Sequence, residues 1–138
     1  MEVYISNDKT LLDVPLIHKY LSVESYWAKG RSVETIKTTI ENSICFGVYN
    51  EQQQVGFARV VSDHAIFAWI MDVFILPEFQ GNGLGKKLMA NIMSHSDLQD
   101  LSRWGLGTLD AHGLYKQFGF SALSEPNRLM ELKNNTNV

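Results

Sequence analysis

Gln80-Gly81-Asn82-Gly83-Leu84-Gly85 lies between an apolar run, Trp69-Ile70-Met71-Asp72-Val73-Phe74-Ile75-Leu76, and a segment of helical periodicity. A strand that turns through three glycines into a helix exposes several backbone N–H groups at the positive end of a helix dipole. Such a turn binds phosphate without a basic side chain. Two familiar glycine patterns fail here on spacing. A P-loop needs Gly-Lys-Ser/Thr after four intervening residues, but Lys86 and Lys87 follow Gly81 at that distance. The dinucleotide fingerprint needs a third glycine where Lys86 stands in one register and Leu88 in the other.

Outward from this loop the periodicity is legible. Leu84, Leu88, Met89, Ile92 and Met93 trace an apolar stripe along the following helix. Upstream, residues 43–49 and 55–62 read as a strand hairpin across a polar turn at 50–54. A tight connection at Asp63-His64 then leads into 65–76, read as the longest strand. Residues 3–5 form a short first strand. Leu11, Leu12, Leu16, Ile17 and Tyr20 recur at helical intervals, and a second helix is expected over 32–42 with Ser32 as its N-cap. Downstream, the pattern gives a strand over 103–109, a short helix over 111–118 with Gly119 as a left-handed C-cap, and a last strand around 128–132. Strand hairpins followed by β-α-β predict an α/β fold, a mixed sheet with helices on both faces.

The chain has 138 residues, 45% of them hydrophobic, enough for one domain with its own core. We expect that domain to occupy residues 1–133, with a polar tail fraying over 134–138. Net charge is −3, and no basic run exceeds Lys86-Lys87, so a nucleic-acid surface is not expected. The single cysteine, Cys45, between Ile44 and Phe46, reads as a buried strand thiol and suits a reducing cytoplasm. No basic-then-apolar leader and no membrane-length apolar run occur. No zinc-like spacing of Cys and His is present, and no metal is expected.

The loop fits Gln/Arg-x-x-Gly-x-Gly/Ala through Gln80, Gly83 and Gly85. With the preceding Val73-Phe74-Ile75-Leu76-Pro77-Glu78-Phe79, it resembles the strand-to-loop signature of the GNAT superfamily of acyl-CoA-dependent N-acyltransferases. Ala111-His112-Gly113-Leu114-Tyr115-Lys116-Gln117-Phe118-Gly119-Phe120 resembles that family's second signature. The two come in the right order, one helix and one strand apart. The likeness covers the chain from about Cys45 onward.

The resemblance implies a sheet splayed at the CoA site and acetyl-CoA as acyl donor. It places the pyrophosphate on the loop, with Gln80, Gly81, Asn82, Gly83, Leu84, Gly85 and Lys86 as contacts, and pantetheine along the strand edge Val73, Phe74 and Ile75. It places Tyr115 beside the thioester sulfur as the acid for the departing thiolate. A phenol, with a reference pKa of ~10 against ~8.5 for a thiol, suits that role. A core tyrosine with a hydrogen-bonded hydroxyl is the plainer alternative.

Asp72 interrupts an apolar strand. It is a candidate to hold a substrate ammonium or relay a proton, and equally a partner for Arg59 across the sheet. In relatives that accept polyamines an acidic pair stands here; Met71 replaces one member. The acceptor pocket is expected from residues 25–32, with Tyr26 and Trp27 lining it and Arg31 and Arg59 able to grip a carboxylate. Tyr26 and Trp27 packing onto the sheet is the alternative. Thr108 stands where many members carry Asn; it and Asp110 are candidate helix caps.

Together these features predict an N-acetyltransferase acting on a primary amine of a small molecule or peptide through a ternary complex. A regulatory module that binds acyl-CoA without chemistry is the competing reading. A homodimer without nucleic-acid or membrane partners is also expected, since strand edges need cover.

Overall fold

The fold is built on one five-stranded sheet with strands in sequence order, as seen in a computed structural model that describes residues 2–134. The strands are β1 (Val3–Ser6), β2 (Ile44–Asn50), β3 (Gln53–Ser62), β4 (Phe67–Ile75) and β5 (Arg103–Leu106). The helices are α1 (Val14–Lys19), α2 (Val33–Glu41), α3 (Leu84–Met93) and α4 (His112–Lys116). Strands β1 to β4 pair antiparallel, and β4 and β5 pair parallel, the two being joined through α3. The expected mixed sheet is the one observed.

Directly opposed residues share a face, and this sorts the layers. Cys45 opposes Arg59, and its thiol donates to the Ile40 carbonyl of α2. Phe46 opposes Ala58 on the other face, where its ring meets His95 just after α3. Helices α1 and α2 thus cover one face, burying Ile17, Leu21, Ile36 and Ile40; α3 covers the other with Leu84, Leu88, Met89 and Ile92. Burial pushes the Cys45 thiol up to about 11, so it is a packing group and not a nucleophile at neutral pH.

Local chemistry explains the helix starts. The Ser32 hydroxyl accepts from Thr35 N–H as an N-cap. Asp13 does the same for α1 at Leu16 N–H, with Pro15 in the first turn. The single first helix suggested by periodicity is divided. A 3₁₀ turn at Lys9–Leu11 precedes α1, and a π-helical turn at Tyr20–Glu24 follows it. The π turn carries Tyr20 onto Phe74, ring centroids 4.1 Å apart.

Boundaries also differ. The first hairpin is tighter than expected, since β3 begins at Gln53 and becomes the longest strand. β5 ends at Leu106, not 109. The last strand expected around 128–132 is absent. Pro126–Arg128 form a 3₁₀ turn, and the chain beyond makes no strand among the described residues, with Met130 97% exposed. A short apolar stretch does not make a strand where no partner edge meets it. Most of the polar tail lies outside the described residues. Gly119, at φ 93°, ends α4 as expected, and Phe120 N–H reaches the Tyr115 carbonyl at 3.3 Å.

Candidate active site

Three features of β4 make the site. The first is an open edge. β5 pairs with β4 only as far as Ile70 opposite Leu106, so among the described residues Met71 to Ile75 have no strand beside them on that side. The second is a bulge. Phe57 opposes Phe74 but Arg59 opposes Met71, so β4 holds one more residue than β3 between these pairs. Asp72 lies in this bulge at φ 55°, in the left-handed region. The third is the loop beyond the strand's end.

In that loop Gly81 (φ 82°) and Gly83 (φ 76°) adopt backbone angles that side chains resist. A Cβ at either would meet open space, so conformation rather than crowding in the chain itself demands glycine. A Cβ at Gly85 would touch Leu114 at 3.5 Å, an ordinary contact that brings α4 close to α3. Gln80 donates to the Ile75 carbonyl at 2.9 Å and Asn82 to the Phe79 carbonyl at 3.1 Å, fixing the turn from within. Gly83 caps α3 without a side-chain acceptor. From Gly81 to Lys86, no backbone N–H finds an acceptor among the described residues. Six unsatisfied donors at the positive end of a helix suit a diphosphate. Lys87 is tied elsewhere, donating to the Val3 carbonyl at 2.8 Å.

Where β4 and β5 part there is a cleft of about 560 Å³. Trp69 to Val73 form one wall, Leu106 to Ala111 another, and Tyr26, Trp27, Arg31 and Tyr115 complete it. Thus Asp72, Val73, Tyr115, Tyr26, Trp27 and Arg31, six residues singled out from sequence, meet in one place. Arg59 does not line the cleft; it lies behind Asp72.

Asp72 is fully committed to the protein. Its side chain is 0% exposed. Oδ2 accepts from Arg31 Nη1 at 2.8 Å and Arg59 Nε at 2.6 Å, and Oδ1 from Trp27 Nε1 at 2.9 Å. The carboxylate that Arg31 and Arg59 grip is therefore one of the chain's own. Arg59 extends the network through Nη1 to Ser43 Oγ at 3.2 Å. Tyr26 and Trp27 stay partly exposed on the rim, edge to face at 5.0 Å, instead of packing onto the sheet. The Tyr26 hydroxyl accepts from Leu109 N–H at 2.9 Å and so ties the first-half loop to the loop after β5.

Tyr115 has a buried ring, edge to face with Phe120. Its hydroxyl has no hydrogen-bond partner among the described residues, and the residue lines the open cleft. Burial first, then the charges of Tyr26 and Asp110, raise its pKa, which keeps the phenol protonated across the neutral range.

Thr108 and Asp110 behave differently from each other. Thr108 Oγ1 accepts from Ala111 N–H at 3.0 Å, as a cap would, whereas Asp110 is exposed on the cleft wall. The contact between Tyr26 and Leu109 spans 83 residues, and nothing in local sequence signals it.

A model of the GNAT acetyltransferase domain matches residues 41–122, from the end of α2 to just beyond α4. The chain belongs to the GNAT family. Among its GNAT relatives, an N-acetyltransferase, ycf52 of Gracilaria tenuistipitata var. liui, is 34% identical over 76% of this chain and 68% of its own length. A Gibberella zeae protein assigned as an acetyltransferase is 32% identical over 62% of this chain. The chain spans 59% of that relative's length. The crystal structure of a protein assigned to the GNAT family from Xanthomonas campestris superimposes with a TM-score of 0.94 at 46% identity, covering 97% of this chain and 94% of that one. The GNAT fold, the glycine loop and the splayed strands thus coincide in one molecule.

Proposed function

We propose that the chain transfers the acetyl group of acetyl-CoA to a primary amine that enters the cleft beside Tyr115. The observation that carries this reading is the alignment, along one strand, of three fittings. These are the six free N–H groups beyond β4, the open edge at Val73–Ile75, and the cleft with an unpartnered phenol.

Acetyl-CoA supplies an activated acyl carbon when bound. The loop N–H groups would hold its phosphates, and the open edge would pair with the pantetheine amides as a strand would. The amine nitrogen attacks the thioester carbonyl, forming a C–N bond. As the C–S bond breaks, Tyr115 gives its proton to the thiolate. The proton released by the amine leaves through the open cleft to solvent, and solvent returns one to the Tyr115 phenolate. In this reading Asp72 is a positioning residue, because each of its oxygens is already occupied. A module that binds acyl-CoA without chemistry gives no reason for an unpartnered hydroxyl on a buried ring. Release of free thiol from acetyl-CoA on addition of primary amines tests the proposal, and binding without release from any amine rejects it.

The loop has its own test. Gly83→Val places a β-branched residue at φ 76° and shifts the donors. Its dissociation constant for acetyl-CoA, measured by titration calorimetry, is expected to rise tenfold or more, about 1.4 kcal/mol. Gly85→Ala, whose Cβ finds an ordinary contact, serves as the control. Equal affinity of the Gly83→Val variant and the parent would remove the loop from the donor site.

We infer further that two copies of the chain associate through the outer edge of β5. That edge has no strand beside it among the described residues. The same chain carries, around 128–132, an apolar segment that pairs with no strand among the described residues, with Leu132 87% exposed. One copy's unpaired segment suits the other's unpaired edge. Sedimentation is expected to find a species of twice the 15.6 kDa chain mass. Met130→Lys with Leu132→Lys should return it to one chain. A concentration-independent 15.6 kDa species for the parent chain rejects the pairing.

A further inference from the structure

The charges at the base of the cleft do not balance. One carboxylate, Asp72, lies between two guanidinium groups, Arg31 and Arg59, all with side chains at most 10% exposed. The cluster therefore holds one positive charge in excess. Arg59 is turned away from the cleft and gives a second donor to Ser43. Arg31 donates only through Nη1 among the described residues, and it is the arginine that lines the cleft, beside Trp27. The excess charge thus reaches the cleft through the remaining donors of a nine-tenths-buried guanidinium. Such a group is costly to leave uncompensated and is shaped to grip a carboxylate.

A third charged residue lines the cleft. Asp110 is exposed on the wall after β5, close enough to Tyr115 for its charge to oppose ionisation of the phenol. An ammonium held near Asp110 would therefore lie near the proposed acid. The cleft offers a cation at its base and an anion on its wall.

We infer that the acetyl acceptor is a small amino acid, an amine that also carries a carboxylate, with Arg31 binding the acid end and Asp110 steering the amine end. This rests on the acetyl-transfer reading and adds the substrate class. It also explains the commitment of Asp72, which fixes one face of Arg31 and so aims the other face into the cleft.

The proposal is tested by thiol release from acetyl-CoA with matched acceptors, namely glycine, β-alanine, γ-aminobutyrate and phenylalanine, each against its own carboxamide. At least one acid is expected to exceed its amide tenfold or more in kcat/KM, mainly through KM. The amides' weaker basicity leaves more free amine at neutral pH, so basicity alone would favour them. In Arg31→Gln that ratio should fall to near one, while the acetyl-CoA dissociation constant stays at the parent value. This variant leaves Asp72 paired one to one with Arg59, which favours its folding. Independently of any variant, propionate should inhibit the parent competitively against the preferred acid. Amides turned over as well as acids in every pair would overturn the inference and leave acetyl transfer standing. No thiol release from any amine would overturn both.

Discussion

A Tyr115→Phe variant is expected to keep its melting temperature and lose roughly 10²- to 10⁴-fold in turnover, the usual size of a lost general acid. The ring that packs against Phe120 remains, and the hydroxyl removed, on a residue that lines the cleft, has no hydrogen bond to lose among the described residues. Affinity for acetyl-CoA, set by the loop and the strand edge, should be unchanged. A phenol buried for packing alone predicts the reverse, because loss of a satisfied hydroxyl costs about 1 kcal/mol and leaves chemistry intact. Thermal melting and steady-state kinetics on the same preparation separate the two. Full activity in a stable Tyr115→Phe variant would assign the proton to water.

Asp72→Asn is expected to be the most damaging single change for stability. It leaves Arg31 and Arg59 buried and facing a neutral amide, and breaking a buried ion pair in this way costs roughly 3–5 kcal/mol. For a chain of this length that corresponds to a melting temperature lower by ~10 °C or more. A triple variant, Asp72→Leu with Arg31→Met and Arg59→Met, should recover much of the loss, because no charge is then left without its partner. Differential scanning calorimetry of the two variants and the parent gives the comparison. If Asp72→Asn melts with the parent, the three charges are not coupled in the way their distances indicate.

Much of this architecture was open to reading from local sequence, and the rest was not, for a physical reason. The strand-to-glycine-to-helix transition is local chemistry, and so are the Ser32 cap and the Gly119 turn; each was legible because a few adjacent residues determine it. The pairing of Asp72 with Arg59 was among the alternatives because both interrupt apolar strands. That Arg31 and Trp27 complete the same network was not legible, since their separations from Asp72, 41 and 45 residues, are closed only by the fold. Residues 128–132 failed in the opposite direction. Leu129, Met130 and Leu132 are apolar, but a strand exists only against a neighbour, and local sequence does not supply one.

The extra residue at Asp72 acts on β4 as a frameshift acts on a message. Upstream of it, Met71 shares a face with Arg59; downstream, Phe74 shares a face with Phe57, and Arg59 and Phe57 lie on the same side of β3. If the same residues alternated strictly from Met71 onwards, with no bulge, Phe74 would turn towards α3 and away from Tyr20. The same inversion would pass down the strand to the glycine loop, exchanging the edge atoms that point outwards for those that point in. Deleting Asp72 would leave Met71 opposite Arg59 and Phe74 opposite Phe57, and would remove only the bulge and the carboxylate it places between Arg31 and Arg59.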